Sequence, residues 1–239
     1  MKRLILFFFA VALFSSCVEE TLPVDSPTAE SAPAFSAVRE NFATPGKDTK
    51  TILRYDRSVE WTKGDAVGLF DGTSIQRSDY TIPTKLVDDG WCISYKYVAA
   101  SNGSETSFSY LYYGKDAEEH KSHVPADVEE YFLLYPWNTN FLANPSRGEF
   151  RCWIKKEQTA EAGTYDASRG FAVARTKDLS QPVVFRNAVS LLEFVITPEM
   201  DSKIVSIAVK GNNSEALGGN ILVKLAEDGT VTTSAWNEN

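Results

Sequence analysis

From Ala34 onward the apolar residues of this chain recur at every second position, a period that suits strands and not helices. The clearest run is Ile204-Val205-Ser206-Ile207-Ala208-Val209-Lys210, where Val205, Ile207 and Val209 share one face before Gly211-Asn212 ends it. Ile221, Val223 and Leu225 repeat the pattern, and Asp228-Gly229 turns the chain into Val231-Thr232-Thr233. Val67-Gly68-Leu69-Phe70 likewise stops at Asp71-Gly72, and Phe108, Tyr110 and Tyr112 alternate with Ser107, Ser109 and Leu111. Ala34-Phe35-Ser36-Ala37-Val38 reads as a first strand. Leu191-Leu192-Glu193-Phe194-Val195-Ile196 is apolar on both faces apart from Glu193, as expected of a central strand. Helical signals are thin: Asp116 to Lys121 supports one turn at most, and Val124-Pro125 interrupts it. Many short strands between Gly, Asn and Asp turns predict an all-β sandwich or barrel.

The N-terminus is of another kind. Met1-Lys2-Arg3 precedes an unbroken apolar run from Leu4 to Phe14, followed by Ser15, Ser16 and Cys17. A charged start, a short apolar core and small residues before a break make a secretory signal peptide. As a helix the run would reach only ~16 Å, about half of a ~30 Å hydrocarbon core, so a permanent span is not expected. Cys17 after two small residues resembles a bacterial lipobox, with Phe14 where Leu is usual and Leu13 one place earlier. In such a site the thiol takes a diacylglycerol and residues 1–16 are removed; several acyl chains together anchor stably. Glu19 and Glu20 resemble the acidic signal that sends Bacteroidetes-type lipoproteins to the outer face of the outer membrane. Residues 17–32, rich in Pro, Ser and acid, read as a tether from the lipidated Cys17, and 33–236 as the folded domain.

Charge narrows the function. Removing residues 1–16 takes away two positive charges, so the formal net charge of -8 becomes -10. An acidic chain without a basic cluster is a poor partner for nucleic acid. Of the remaining cysteines, alternation points Cys92 outward with Ser94 and Lys96, and Cys152 inward with Phe150 and Ile154, which disfavours a disulfide between them. The only histidines, His120 and His123, lie beside Glu118 and Glu119, but two such residues without a third ordered ligand do not make a metal site. No Gly-rich phosphate loop and no Gly-x-Ser-x-Gly elbow is present. Asp56, Glu60, Asp65 and Asp71 are a conceivable carboxylate set, yet Asp65 and Asp71 flank glycines and read as turn residues. No enzyme activity, cofactor or metal is expected.

Several segments in order resemble the fimbrillin family of Bacteroidetes surface pilins and related lipoproteins. They are Asp48-Thr49-Lys50-Thr51-Ile52-Leu53, then Val59-Glu60-Trp61-Thr62-Lys63-Gly64-Asp65 leading into Ala66–Phe70, and Tyr131-Phe132-Leu133-Leu134-Tyr135-Pro136-Trp137. Gln158 through Tyr165-Asp166, Phe171–Ala174, Val184–Phe194 and Ile204–Ile207 with Leu217-Gly218-Gly219 continue the match, which covers roughly residues 34 to 226. Each motif is weak alone; their shared order beside a lipoprotein signal carries the resemblance. It implies transthyretin-like β-sandwiches of Greek-key type, no cofactor, and a structural or adhesive role in a pilus. It also implies cleavage after an Arg near the first strand, loss of that strand, and its replacement by a strand from another pilin subunit. Transferred to this chain, Ala34, Phe35, Ala37 and Val38 form the displaced strand and Arg39 is the processing site, with Arg54 and Arg57 as competitors. The chain stops at Trp236-Asn237-Glu238-Asn239, close to the end of the family's N-terminal domain, so a second sandwich is expected to be absent or truncated.

The alternative is a non-assembling surface lipoprotein that binds glycans. Trp61, Trp91, Trp137, Trp153 and Trp236 supply the flat faces such binding uses. Trp153, between Arg151 and Lys155, reads as solvent-facing and is the candidate contact, whereas Trp91 shares a face with Ile93, Tyr95 and Tyr97 and reads as core. Partners are then other pilin subunits, the outer membrane through the lipid anchor, or host glycans.

Overall fold

The computed structural model describes residues 34–40, 59–73, 81–111, 125–159, 170–190, 192, 194, 204–212 and 217–236. All fall in the compact unit Ser31–Asn239. Cys17, Arg54, Arg57, His120, His123 and the Asp116–Lys121 turn lie outside the described residues.

The described part is all-β apart from one short helix and one 3-10 turn. In chain order the strands are β1 (Phe35–Arg39), β2 (Ala66–Phe70), β3 (Cys92–Ile93), β4 (Tyr95–Ala99), β5 (Glu105–Tyr110), β6 (Tyr131–Tyr135), β7 (Leu142–Asn144), β8 (Glu149–Ile154), β9 (Ala172–Thr176), β10 (Val183–Asn187), β11 (Gly219–Leu225) and β12 (Val231–Ala235). Seven close into a barrel in the order β1-β10-β9-β6-β2-β4-β5, and five form a second sheet in the order β12-β11-β8-β7-β3. The larger sheet therefore closes on itself where two open sheets were expected from the resemblance. The only parallel pairing among these strands is β1 with β10.

Alternation explains which faces meet. Val67 and Leu69 of β2, with Leu133 and Tyr135 of β6, fill the barrel interior. Phe70, Phe132, Leu134 and Val173 point out of the barrel and pack against Cys92, Ala143, Phe150, Cys152, Val223 and Leu225 of the second sheet. Strands β2, β6 and β9 are thus apolar on both faces, which is why Tyr131–Tyr135 reads as a continuous apolar run. The far face of the second sheet is covered by Trp91 and by helix α1 (Thr84–Asp88), through Leu86 and Val87. The sequence reading missed this helix, although Pro83 opens it and Gly90, at φ 85°, follows it.

Several expectations change. Cys92 does not point outward; it is 1% exposed and faces the inter-sheet core. At Ser94 the chain leaves β3 in one sheet and enters β4 in the other, so side-chain parity does not carry across it. Cys92 lies opposite Ala143, which lies opposite Phe150, with Cys152 two residues further along β8. That register sets the two thiols roughly 12 Å apart at Cα, beyond disulfide reach, and both are free. Ile204–Lys210 is not in a described strand: Val205 is 94% exposed and Ile207 and Val209 are about half exposed. Leu192 and Phe194, read as central-strand residues, are also exposed; Leu191, Glu193, Val195 and Ile196 lie outside the described residues. Alternation supplies a face, but a strand also needs a ladder partner, and none is paired with these segments among the described strands.

Candidate functional site

The sequence-predicted residues that the structure brings together are those of β1. The strand occupies the seam of the barrel, antiparallel to β5 (Phe35 opposite Phe108, Ala37 opposite Thr106) and parallel to β10 (Ala37 opposite Val183, Arg39 opposite Phe185). Ladder bonds continue just past both ends: Ala34 N donates to Phe108 O at 2.8 Å and Glu40 N to Phe185 O at 2.8 Å. Phe35, Ala37 and Arg39 are the buried positions, with Ser36 and Val38 half-buried between them. The strand boundary lies one residue later than expected, so Arg39 is its last residue and not the residue after it.

Each inward position has its own surroundings. Phe35 stacks on Phe108 at 5.3 Å between centroids with rings 10° apart, and lies 5.3 Å from the Tyr97 ring. Trp61, in the segment before β2, donates from Nε1 to Ala37 O at 2.9 Å. The same indole meets Phe108, Tyr135 and Phe185 edge to face at 5.0 to 5.4 Å, so one aromatic ties β1 to three other strands. Arg39 is only 7% exposed. Its guanidinium lies 4.5 Å from the Tyr135 centroid and 5.3 Å from that of Trp61, and Nη2 donates to Gly170 O at 3.2 Å. Past the strand, Arg186 Nη1 reaches Glu40 Oε1 at 3.1 Å and Asn187 Nδ2 donates to Glu40 O at 3.0 Å, pinning the exit of β1 onto β10.

The remaining candidates resolve into packing. Trp153 is half-buried, with its ring edge to face on Phe141 at 4.7 Å, and packs against the inter-sheet core. Trp91 is core at 2% exposed, as expected, but it packs with Ile93 on the far face of the second sheet and not with Tyr95 and Tyr97, which belong to the barrel interior. Arg151, read as marking a solvent-facing side, is sandwiched between the rings of Trp91 and Trp236 at 4.1 and 4.0 Å. No tryptophan or tyrosine among the described residues is exposed. Asp65 accepts from Thr62 N at 2.8 Å and Tyr135 Oη at 3.2 Å, and Asp71 from Thr73 N, Thr73 Oγ1 and Ala126 N, so both carboxylates brace loops. A shallow cavity of about 180 Å³ is lined by Arg175, Val184, Arg186, Leu225, Glu227, Asp228 and Gly229. Its two arginines are already paired, Arg175 bidentately with Glu130 and Arg186 with Glu40. Burial pushes the Cys92 thiol up to about 12 and raises that of Cys152 further, so neither is a nucleophile near neutral pH.

Sequence reasoning missed Trp61 and Tyr135 as partners of β1. Trp61 stands out in the sequence as a motif residue and a candidate flat face and Tyr135 as part of the resemblance, but no local signal links either to a strand more than twenty residues away. No protein-family model, curated protein or solved structure matches the chain.

Proposed function

We propose that this chain is a lipid-anchored surface protein of fimbrillin type, a structural or adhesive pilus component whose first strand is exchangeable. One observation carries the reading: β1 is a five-residue strand at the barrel seam, hydrogen-bonded on both edges, with alternate side chains in separate pockets. That is the geometry β-augmentation uses, with backbone ladder bonds for affinity and alternate pockets for selection. Strand loss would leave a groove with two open edges between β5 and β10, an unfavourable state that a second strand relieves. The anchor at Cys17 and residence on the outer membrane belong to the same reading, which keeps the all-β fold with its larger sheet closed. No helix of the described residues is long and apolar enough to cross a membrane.

Processing at Arg39 follows from strand release. A trypsin-like protease needs an extended, accessible segment, and Arg39 is buried between two partner strands, so cleavage there tracks the opening of β1. Glycan binding, the other reading, draws no support from the described aromatics. The test is brief protease treatment of the full chain, followed by an unboiled, non-reducing gel and mass analysis. Ladder-like oligomers that have lost the segment through Arg39 support assembly by strand exchange. A monomer that retains β1 under conditions where Arg39 is cut in the urea-unfolded chain refutes it. Detection of a diacylglycerol thioether on Cys17 in material from the native host tests the anchor.

A further inference from the structure

The seam slot has three unlike pockets, and their chemistry specifies what can fill it. The Phe35 pocket offers the Phe108 face and the Tyr97 ring, so it takes a large flat side chain. At Ala37 the strand is fully buried and its carbonyl is held by the Trp61 indole, so a bulkier residue overpacks the centre. The third pocket is where Arg39 lies, between the Tyr135 and Trp61 rings with a carbonyl oxygen from Gly170. Aromatic faces and a carbonyl oxygen all present negative potential, and in a buried site that favours a cation over an apolar group of equal size. A neutral aliphatic side chain would fill the volume but withdraw the donor from the Gly170 carbonyl.

We propose that the vacated slot reads an incoming strand as aromatic-x-small-x-cation, and that its partner therefore carries Arg or Lys at the Arg39 register. This rests on the exchange reading above and adds to it the identity of the occupant: an extended segment with a large aromatic, then Ala, Ser or Gly two residues on, then a basic residue two further. The cation is set at the slot's end, beside the Glu40 exit contacts, so it also fixes register. A one-residue slip would drive the charge toward the exit and place a half-buried position into the cage. Arg39 thus has two consequences in one residue: it marks the place of cleavage, and the pocket it leaves demands its own likeness.

The experiment uses the full chain nicked after Arg39 and dye-labelled, acetylated and amidated peptides with the sequence of Ala34–Arg39. Uptake is read by fluorescence anisotropy and on an unboiled gel. The native peptide is expected to exchange in, an Arg39→Lys peptide to bind within a fewfold of it, and Arg39→Leu and Ala37→Leu peptides to bind at least tenfold more weakly. Native and Arg39→Leu peptides binding alike would overturn the cation rule while leaving exchange intact. Failure of the native peptide to enter would refute exchange itself, and the pocket rule with it as a partner code. Uncleaved Arg39→Leu and Arg39→Lys chains give a readout free of exchange: the Leu chain melts lower than the Lys chain if the cage favours a cation. Equal melting of the two overturns the rule.

Discussion

Gly68 of β2 lies tight against the residue that links β3 to β4, and replacing it has a calculable outcome. A Cβ at Gly68 would lie 2.7 Å from Ser94 Oγ, 2.8 Å from Ser94 Cβ and 3.3 Å from Trp137 Cδ1. Ser94 is 1% exposed and sits where the chain passes from β3 to β4, so it cannot swing into solvent. Restoring a ~3.5 Å carbon contact requires a displacement of ~0.7 Å between β2 and the Ser94 linker. Overpacking of that order costs about 1–3 kcal/mol, against which the lower unfolded-state entropy of Ala returns about 0.4–1 kcal/mol. Gly68→Ala should therefore lose roughly 1–2 kcal/mol, seen as a melting temperature lowered by about 2–8 °C for a folded body of this size. Because both atoms under 3 Å belong to the Ser94 side chain, Ser94→Gly should absorb most of the clash. Urea unfolding followed by tryptophan fluorescence on the two single variants and the double variant gives the coupling energy. The double variant should be more stable than the summed single effects by about 1 kcal/mol. Additive losses, or a Gly68→Ala chain as stable as the parent, would refute close approach at this crossing.

Phe35→Ala should cost about 3–5 kcal/mol by emptying the Phe108–Tyr97 pocket, and loosen β1 selectively, which faster trypsin cleavage at Arg39 would report. Arg151→Ala removes a cation stacked between two indoles and should destabilise by roughly 1–3 kcal/mol, with Arg151→Lys intermediate, in thermal melts. Both described cysteines should resist iodoacetamide at pH 8 in the folded chain and react at once in urea, with mass spectrometry counting the adducts. Since burial holds the Cys92 thiol protonated up to about 12 while the unfolded thiol ionises near 9, its share of stability is intact below pH 9. It then falls by about 1.4 kcal/mol per pH unit between those values. Cys92→Ala should flatten that alkaline limb in pH-dependent urea midpoints.

Much of this architecture can be read from local pattern. The β11–β12 hairpin is legible because Ile221, Val223 and Leu225 alternate up to Asp228-Gly229, and Gly229 takes the positive φ of 84° that the turn requires. The inward face of β8 follows from Phe150 and Cys152 in the same way. Failures occur where a property belongs to two segments and not one. Cys92 faces inward against its local alternation because the chain changes sheets at Ser94, a tertiary event with no local signature. Arg151 reads as marking a solvent-facing side because arginine usually is solvated, and nothing local shows that Arg39 is buried; each is covered by aromatics that arrive from distant segments. The barrel's closure was equally hidden, since which strand pairs with β1 is decided by β5 and β10 together.

That closure orders events in time. Glu40 and Asn187, which meet where β1 leaves the barrel, are 147 residues apart in the chain. Strand β1, the first of the described strands to leave the ribosome, therefore has no complete berth until β10 has followed. Long-separation contacts are slow because chain entropy is surrendered before they return anything. A polypeptide arranged this way keeps one edge of its leading strand bare through most of its synthesis, open to whatever else can form a ladder with it.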